Sequence, residues 1–156
     1  MQTFHVSVHS CPLNVAPGES FQLSRRRIPT LAVAGLTDAP LDVTFEQVRD
    51  KLAVLPRMFI EPDGAFVWAG FTDRLGTRTE DNTGAWQLEG VLYDQGDRLS
   101  YVELNGLCSE QAFDRFLGAL GWPRSRLMFQ LLAQAVFLDE KTFRQLVFHG
   151  QPVEPE

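Results

Sequence analysis

Cysteine is scarce: Cys11 and Cys108 are the only two in 156 residues, too few and too far apart for the disulfide framework that staples small secreted domains. Free thiols in a reducing compartment are expected. Lysine is equally rare, two residues against twelve arginines, and positive charge is nowhere concentrated into a face. The formal net charge is −6; residues 1–40 sum to +1, 41–84 to −3, 85–124 to −3 and 125–156 to −1. Nucleic-acid binding would work against that repulsive field, so none is expected. Arg25-Arg26-Arg27 is the one basic run, and three arginines make a solvated stretch more readily than a phosphate site.

Long apolar runs are also missing. Nothing approaches the ~20 apolar residues of a membrane span. The N-terminus has no basic residue before Arg25 and no apolar core, unlike a secretory leader. A soluble cytoplasmic protein without a membrane partner is the expectation. No phosphate-binding glycine loop, Gly-x-Ser-x-Gly elbow or His-Glu-x-x-His helix occurs, so no catalytic residue is assigned.

What is present is enough for a core: 44% of residues are hydrophobic, and the length suits one domain over 1–150 with a frayed tail at 151–156. The stretch Met58–Gly106 holds four strand-like runs. Met58-Phe59-Ile60-Glu61 and Ala65–Ala69 flank Pro62-Asp63-Gly64, and Trp86–Tyr93 and Leu99–Asn105 flank Asp94–Asp97, which are two hairpin signatures in series. Trp86, Leu88, Gly90 and Leu92 recur two apart with Gln87 and Glu89 between them, the alternation of a sheet with one wet face. Val102 and Leu104 share the dry face of the partner strand, while Tyr101, Glu103 and Asn105 share the wet one. Gly90 in mid-strand marks a bulge or a close backbone approach, and the bulge is the simpler expectation.

Upstream, Phe4, Val6 and Val8 alternate with His5, Ser7 and His9, predicting a strand with a polar exposed face. Ser20–Arg27 reads as a second extended segment that pairs back as a third hairpin, and Pro29 makes Leu31–Leu36 a bent or edge strand. Four helices are predicted. Thr44 and Gln47 form a capping box for a helix over 44–55, with Phe45, Val48, Leu52 and Leu55 as its stripe. Ser109 caps a helix over 109–120 that ends at Gly121. Arg126, Gln130 and Gln134 fall four apart in the apolar 125–138 stretch and predict a largely buried helix. Asp139 caps the last, over 139–148, with Lys141, Arg144 and Gln145 outward. The resulting fold class is α+β: an antiparallel meander of hairpins covered on one face by about four helices.

The chemical candidates are few. His5, His9 and Cys11 are soft ligands, but on a straight strand the two histidines stand roughly 13 Å apart, while zinc holds its ligands at about 2 Å. Neither a metal nor a cofactor is expected. Cys108 precedes a helix cap that could lower its pKa, although a small buried thiol is the commoner case. Glu89 and Glu103 share the wet face of one hairpin, and either a cation lies between them or the register separates them. The longest polar stretch, 70–84, mixes two arginines with three acids and is either functional or a mobile hairpin tip. Asp73, Arg74, Arg78 and Glu80 are its candidate ligand-binding residues. Trp68, Trp86, Tyr93, Tyr101 and Phe71 cluster around the sheet and either line an exposed groove or belong to a Phe-rich core. The reading that accommodates these features is a non-enzymatic binding or interaction module, as a homodimer or with a protein partner. The alternative is a small hydrolase-like or transferase-like enzyme with its site on the 70–84 loop and the wet face of the sheet.

Overall fold

A computed structural model describes residues 2–33, 39–71 and 84–150. Its elements in chain order are β1 (Phe4–Ser10), β2 (Ala16–Pro17), β3 (Phe21–Leu23), β4 (Arg26–Ile28), β5 (Leu31–Ala32), α1 (Phe45–Ala53), β6 (Met58–Ile60), β7 (Ala65–Phe71), β8 (Ala85–Gln95), β9 (Arg98–Gly106), α2 (Glu110–Ala119), β10 (Leu127–Leu131), β11 (Val136–Asp139) and α3 (Glu140–Val147). Nine strands form one antiparallel sheet in the order β2-β5-β11-β10-β1-β9-β8-β7-β6, and β3 pairs with β4 alone.

The predicted meander is present. Gly64 and Gly96 adopt φ of 99° and 66° in its two hairpin turns, the left-handed geometry that glycine reaches without a Cβ clash. The meander continues into β1, which pairs with β9 on one side and β10 on the other. Apolar alternation then aims Val6 and Val8 of β1, Phe66 and Trp68 of β7, Leu88 and Leu92 of β8, and Val102 and Leu104 of β9 into one core. The three helices among the described residues pack on this face. They contribute Val48 and Leu52, then Phe113, Phe116 and Leu117, then Phe143, Leu146 and Val147.

The caps follow the sequence. Thr44 accepts from the Gln47 amide while the Gln47 side chain accepts from the Thr44 amide. Ser109 accepts from the Ala112 amide, and Asp139 from the Thr142 amide. Each satisfies an amide that has no partner within its helix.

Several expectations are corrected. Residues 125–138 are not a helix but the hairpin β10–β11, so the helices number three among the described residues and the sheet is larger than the meander. Leu127, Met128 and Phe129 are successive and all buried, because a central strand closed on both faces loses the alternation that identifies it. The segment 20–27 does not pair with β1; it folds on itself at Ser24, whose φ is 54°. Ser7 and His9 are buried, not exposed. Gly90 lies in unbroken register opposite Phe66 and Leu104, and the irregularity falls between Tyr93 and Asp94. A Cβ on Gly90 would run into the Glu103 carbonyl oxygen and come within 2.7 Å of the Phe66 ring, so close approach is the reason for glycine there.

Arg144 is also not outward. Its side chain is 12% exposed, and its guanidinium meets Glu110 at 2.9 Å, Asp114 at 2.7 Å and Glu140 at 2.9 Å. It lies over the rings of Phe113 and Trp122, and the Trp122 indole donates to Glu140 at 2.7 Å. His149 reaches Glu110 at 2.8 Å. The cluster fastens α2 to α3. Burial works against ionisation of Glu110, but hydrogen bonds from His149 and Arg144 prevail and hold its carboxyl below the usual range.

Candidate binding surface

Because the helices take one face, the wet face of the sheet is left to its own side chains. At the β1–β10 end they close over one another: Ser7 Oγ and His9 Nε2 are 2.7 Å apart, Ser7 donates to Gln130 at 3.3 Å, and His9 stacks on Tyr101, which stacks on Tyr93. Burial lowers the His9 pKa to about 4, so the ring is neutral near pH 7. Beyond Tyr101 the face opens.

Across β6, β7 and β8 lies a groove of about 380 Å³. Phe59 stands opposite Val67, and Val91 opposite Ala65, so their side chains form a diagonal apolar strip. Phe59 is 74% and Val67 38% exposed. Carboxylates border the strip: Glu61 follows β6, Glu89 is opposite Val67, and Glu103 is opposite Val91. Glu89 itself pairs with Asn105, so the register separates Glu89 from Glu103. Glu103 is held by His5 at 2.7 Å and by the Tyr93 hydroxyl at 3.4 Å. Partial burial, and then the Glu103 charge, push the Tyr93 phenol up. Among the described residues neither Glu61 nor Glu89 has a cationic partner.

The four residues singled out on the 70–84 stretch, Asp73, Arg74, Arg78 and Glu80, lie outside the described residues. Of the aromatic cluster, Trp68 and Trp86 are in the core, whereas Phe71 and Tyr93 reach solvent. His5 reaches Glu103 and His9 reaches Ser7, and no group of three metal-ligating side chains forms among the described residues. Both thiols are free and buried. Burial raises Cys11 and takes Cys108 up to about 12, so neither is a thiolate at neutral pH.

Alternation identified the wet face, and with it Glu89 and Glu103. Phe59 was hidden inside the apolar run Met58-Phe59-Ile60, where nothing distinguishes the one outward side chain. No family model, curated protein or solved structure matches this chain.

Proposed function

We propose that the chain is a non-enzymatic interaction module whose open sheet face receives an extended partner segment that alternates apolar with basic side chains. The observation that carries this reading is the strip of exposed Phe59 and Val67 and half-buried Val91 bordered by carboxylates, two of them unpaired among the described residues. An apolar surface of this kind is commonly a contact site, and the acidic border selects cations by charge complementarity.

The sheet edge supports an extended occupant. Hydrogen bonds from the Glu61 amide to the Ala65 carbonyl and from the Ala69 amide to the Arg57 carbonyl set the pairing phase. By the antiparallel alternation, the Ile60 amide and carbonyl then point away from β7, available to an added strand. The occupant is a different protein. Two copies facing each other here would juxtapose acidic borders, so the free chain is expected to sediment as a monomer. The buried free thiols suit a reducing, cytoplasmic setting. A non-catalytic reading is favoured by the site chemistry as well: Ser7, the hydroxyl beside His9, is 2% exposed, and the thiols stay protonated.

The test is fluorescence anisotropy with a dye-labelled peptide alternating lysine with valine and with its glutamate-for-lysine counterpart. The lysine peptide is expected to bind at least about tenfold more tightly and to weaken with salt. Glu89→Lys and Phe59→Ser should each reduce binding at unchanged melting temperature. Equal binding of both peptides, or binding indifferent to both substitutions, contradicts the proposal.

A further inference from the structure

Where the ends of β7 and β8 meet the first turns of α2, a cavity of about 520 Å³ opens, separate from the groove on the wet face. Its lining includes Arg57 and Arg115 with Phe71, Trp86 and Ser109. Arg57 is held in place: its Nε donates to the Ala69 carbonyl at 3.2 Å, its guanidinium lies 5.6 Å from the Phe71 ring centroid, and its backbone sits at φ 59°. That bond occupies Nε and leaves both terminal amino groups. Among the described residues neither Arg57 nor Arg115 meets a carboxylate. Asp114 also borders the cavity, but Arg144 engages its carboxylate at 2.7 Å. The cavity is therefore a positive spot on a protein of net charge −6.

A second observation is independent of charge. Trp86 is 8% exposed, and its indole N–H has no acceptor among the described residues. The other two tryptophans have one each: Trp68 donates to the Pro56 carbonyl at 3.0 Å and Trp122 to Glu140 at 2.7 Å. Buried donors are almost always paired in folded proteins, by protein or by water, and this one belongs to a residue of the cavity lining. Ser109 Oγ accepts from the Ala112 amide, so its O–H remains to donate. Among the described residues, an indole N–H without an acceptor, two guanidiniums without a carboxylate partner and two aromatic rings line this cavity.

We propose that this cavity binds a small oxyanion carried on a flat apolar body, an aryl carboxylate or an aryl phosphate ester. The guanidiniums hold the oxyanion in forked hydrogen bonds, and Phe71 and Trp86 flank the apolar body.

The experiment follows the three indole N–H signals of the ¹⁵N-labelled protein during titration with 3-phenylpropionate, phenyl phosphate and, as the neutral probe, benzyl alcohol. Trp86→Phe identifies the Trp86 signal by its loss. Addition of an anion is expected to move that signal, because Trp86 lines the cavity, while benzyl alcohol leaves it in place. The tighter of the two anions identifies the head group. Arg57→Gln and Arg115→Gln, both at exposed positions, should each weaken binding at least about tenfold. Arg124→Gln, at an exposed arginine outside the cavity's lining, should change nothing. An unmoved Trp86 signal, equal binding of benzyl alcohol, or an equal loss in Arg124→Gln overturns the proposal.

Discussion

Gly90 and His9 show what a single residue decides in this sheet. A side chain on Gly90 would collide with the Glu103 carbonyl and the Phe66 ring, and both sit in the packed sheet. Gly90→Ala is therefore expected to lower stability by about 1–3 kcal/mol, the usual penalty of overpacking, measurable by urea unfolding. His9 is buried with its pKa lowered to about 4 against an ordinary 6.5. Its neutral form stabilises the fold fully above pH 6.5, and that contribution is lost as the pH falls toward 4, because the unfolded chain takes up the proton first. The drop from 6.5 to about 4 corresponds to on the order of 3 kcal/mol. His9→Gln should flatten the decline of unfolding free energy across that window; a decline parallel to that of the unmodified protein would contradict this. The capping residues Thr44, Ser109 and Asp139 were legible in the sequence because a cap is a local pattern. The burial of Ser7 and His9 was not, since alternation states which face a residue shares and not whether that face is covered.

Among the elements, the β10–β11 hairpin was the least legible. Its turn contains no glycine, and Ala135 adopts φ 57° there, a conformation that residues other than glycine, asparagine and aspartate rarely take. Lacking the turn signal, the apolar run 127–138 resembled a buried helix. Ala135→Gly relieves the strain and should raise the stability by up to about 1 kcal/mol in thermal unfolding, the reverse of the usual cost of glycine. The link between α2 and α3 was equally hidden, because nothing in the 139–148 pattern distinguishes Arg144 from an outward arginine. Removing it leaves Glu110, Asp114 and Glu140 close together, with His149 still on Glu110 and the Trp122 indole still on Glu140. The three acidic side chains are 34%, 41% and 30% exposed, so water softens the loss, and Arg144→Ala is expected to cost about 2 kcal/mol, below the range for fully buried pairs. Arg144→Lys should recover little of it, since an ammonium neither forks to the carboxylates nor stacks on Phe113 and Trp122 as a guanidinium does.

At the scale of the whole molecule, an antiparallel sheet holds its three described helices on one side and leaves part of the other side bare. The central meander was legible because each hairpin is local, with a turn residue between alternating runs. The flanking order β11-β10-β1 was not, since β1 pairs with β10 across more than a hundred residues of chain and long-range partners leave no mark on either segment. The candidate surface was legible in half: the acidic residues of the wet face could be assigned, but the groove required Phe59 and Val67 to be brought side by side by the β6–β7 register. The interaction reading rests on that groove. Its most direct test is a map of backbone amide shifts on adding the lysine–valine peptide to the ¹⁵N-labelled protein. The account predicts changes confined to β6, β7 and β8 around Phe59, Val67, Glu89 and Val91; an unchanged spectrum, or changes centred on the helices, would contradict it.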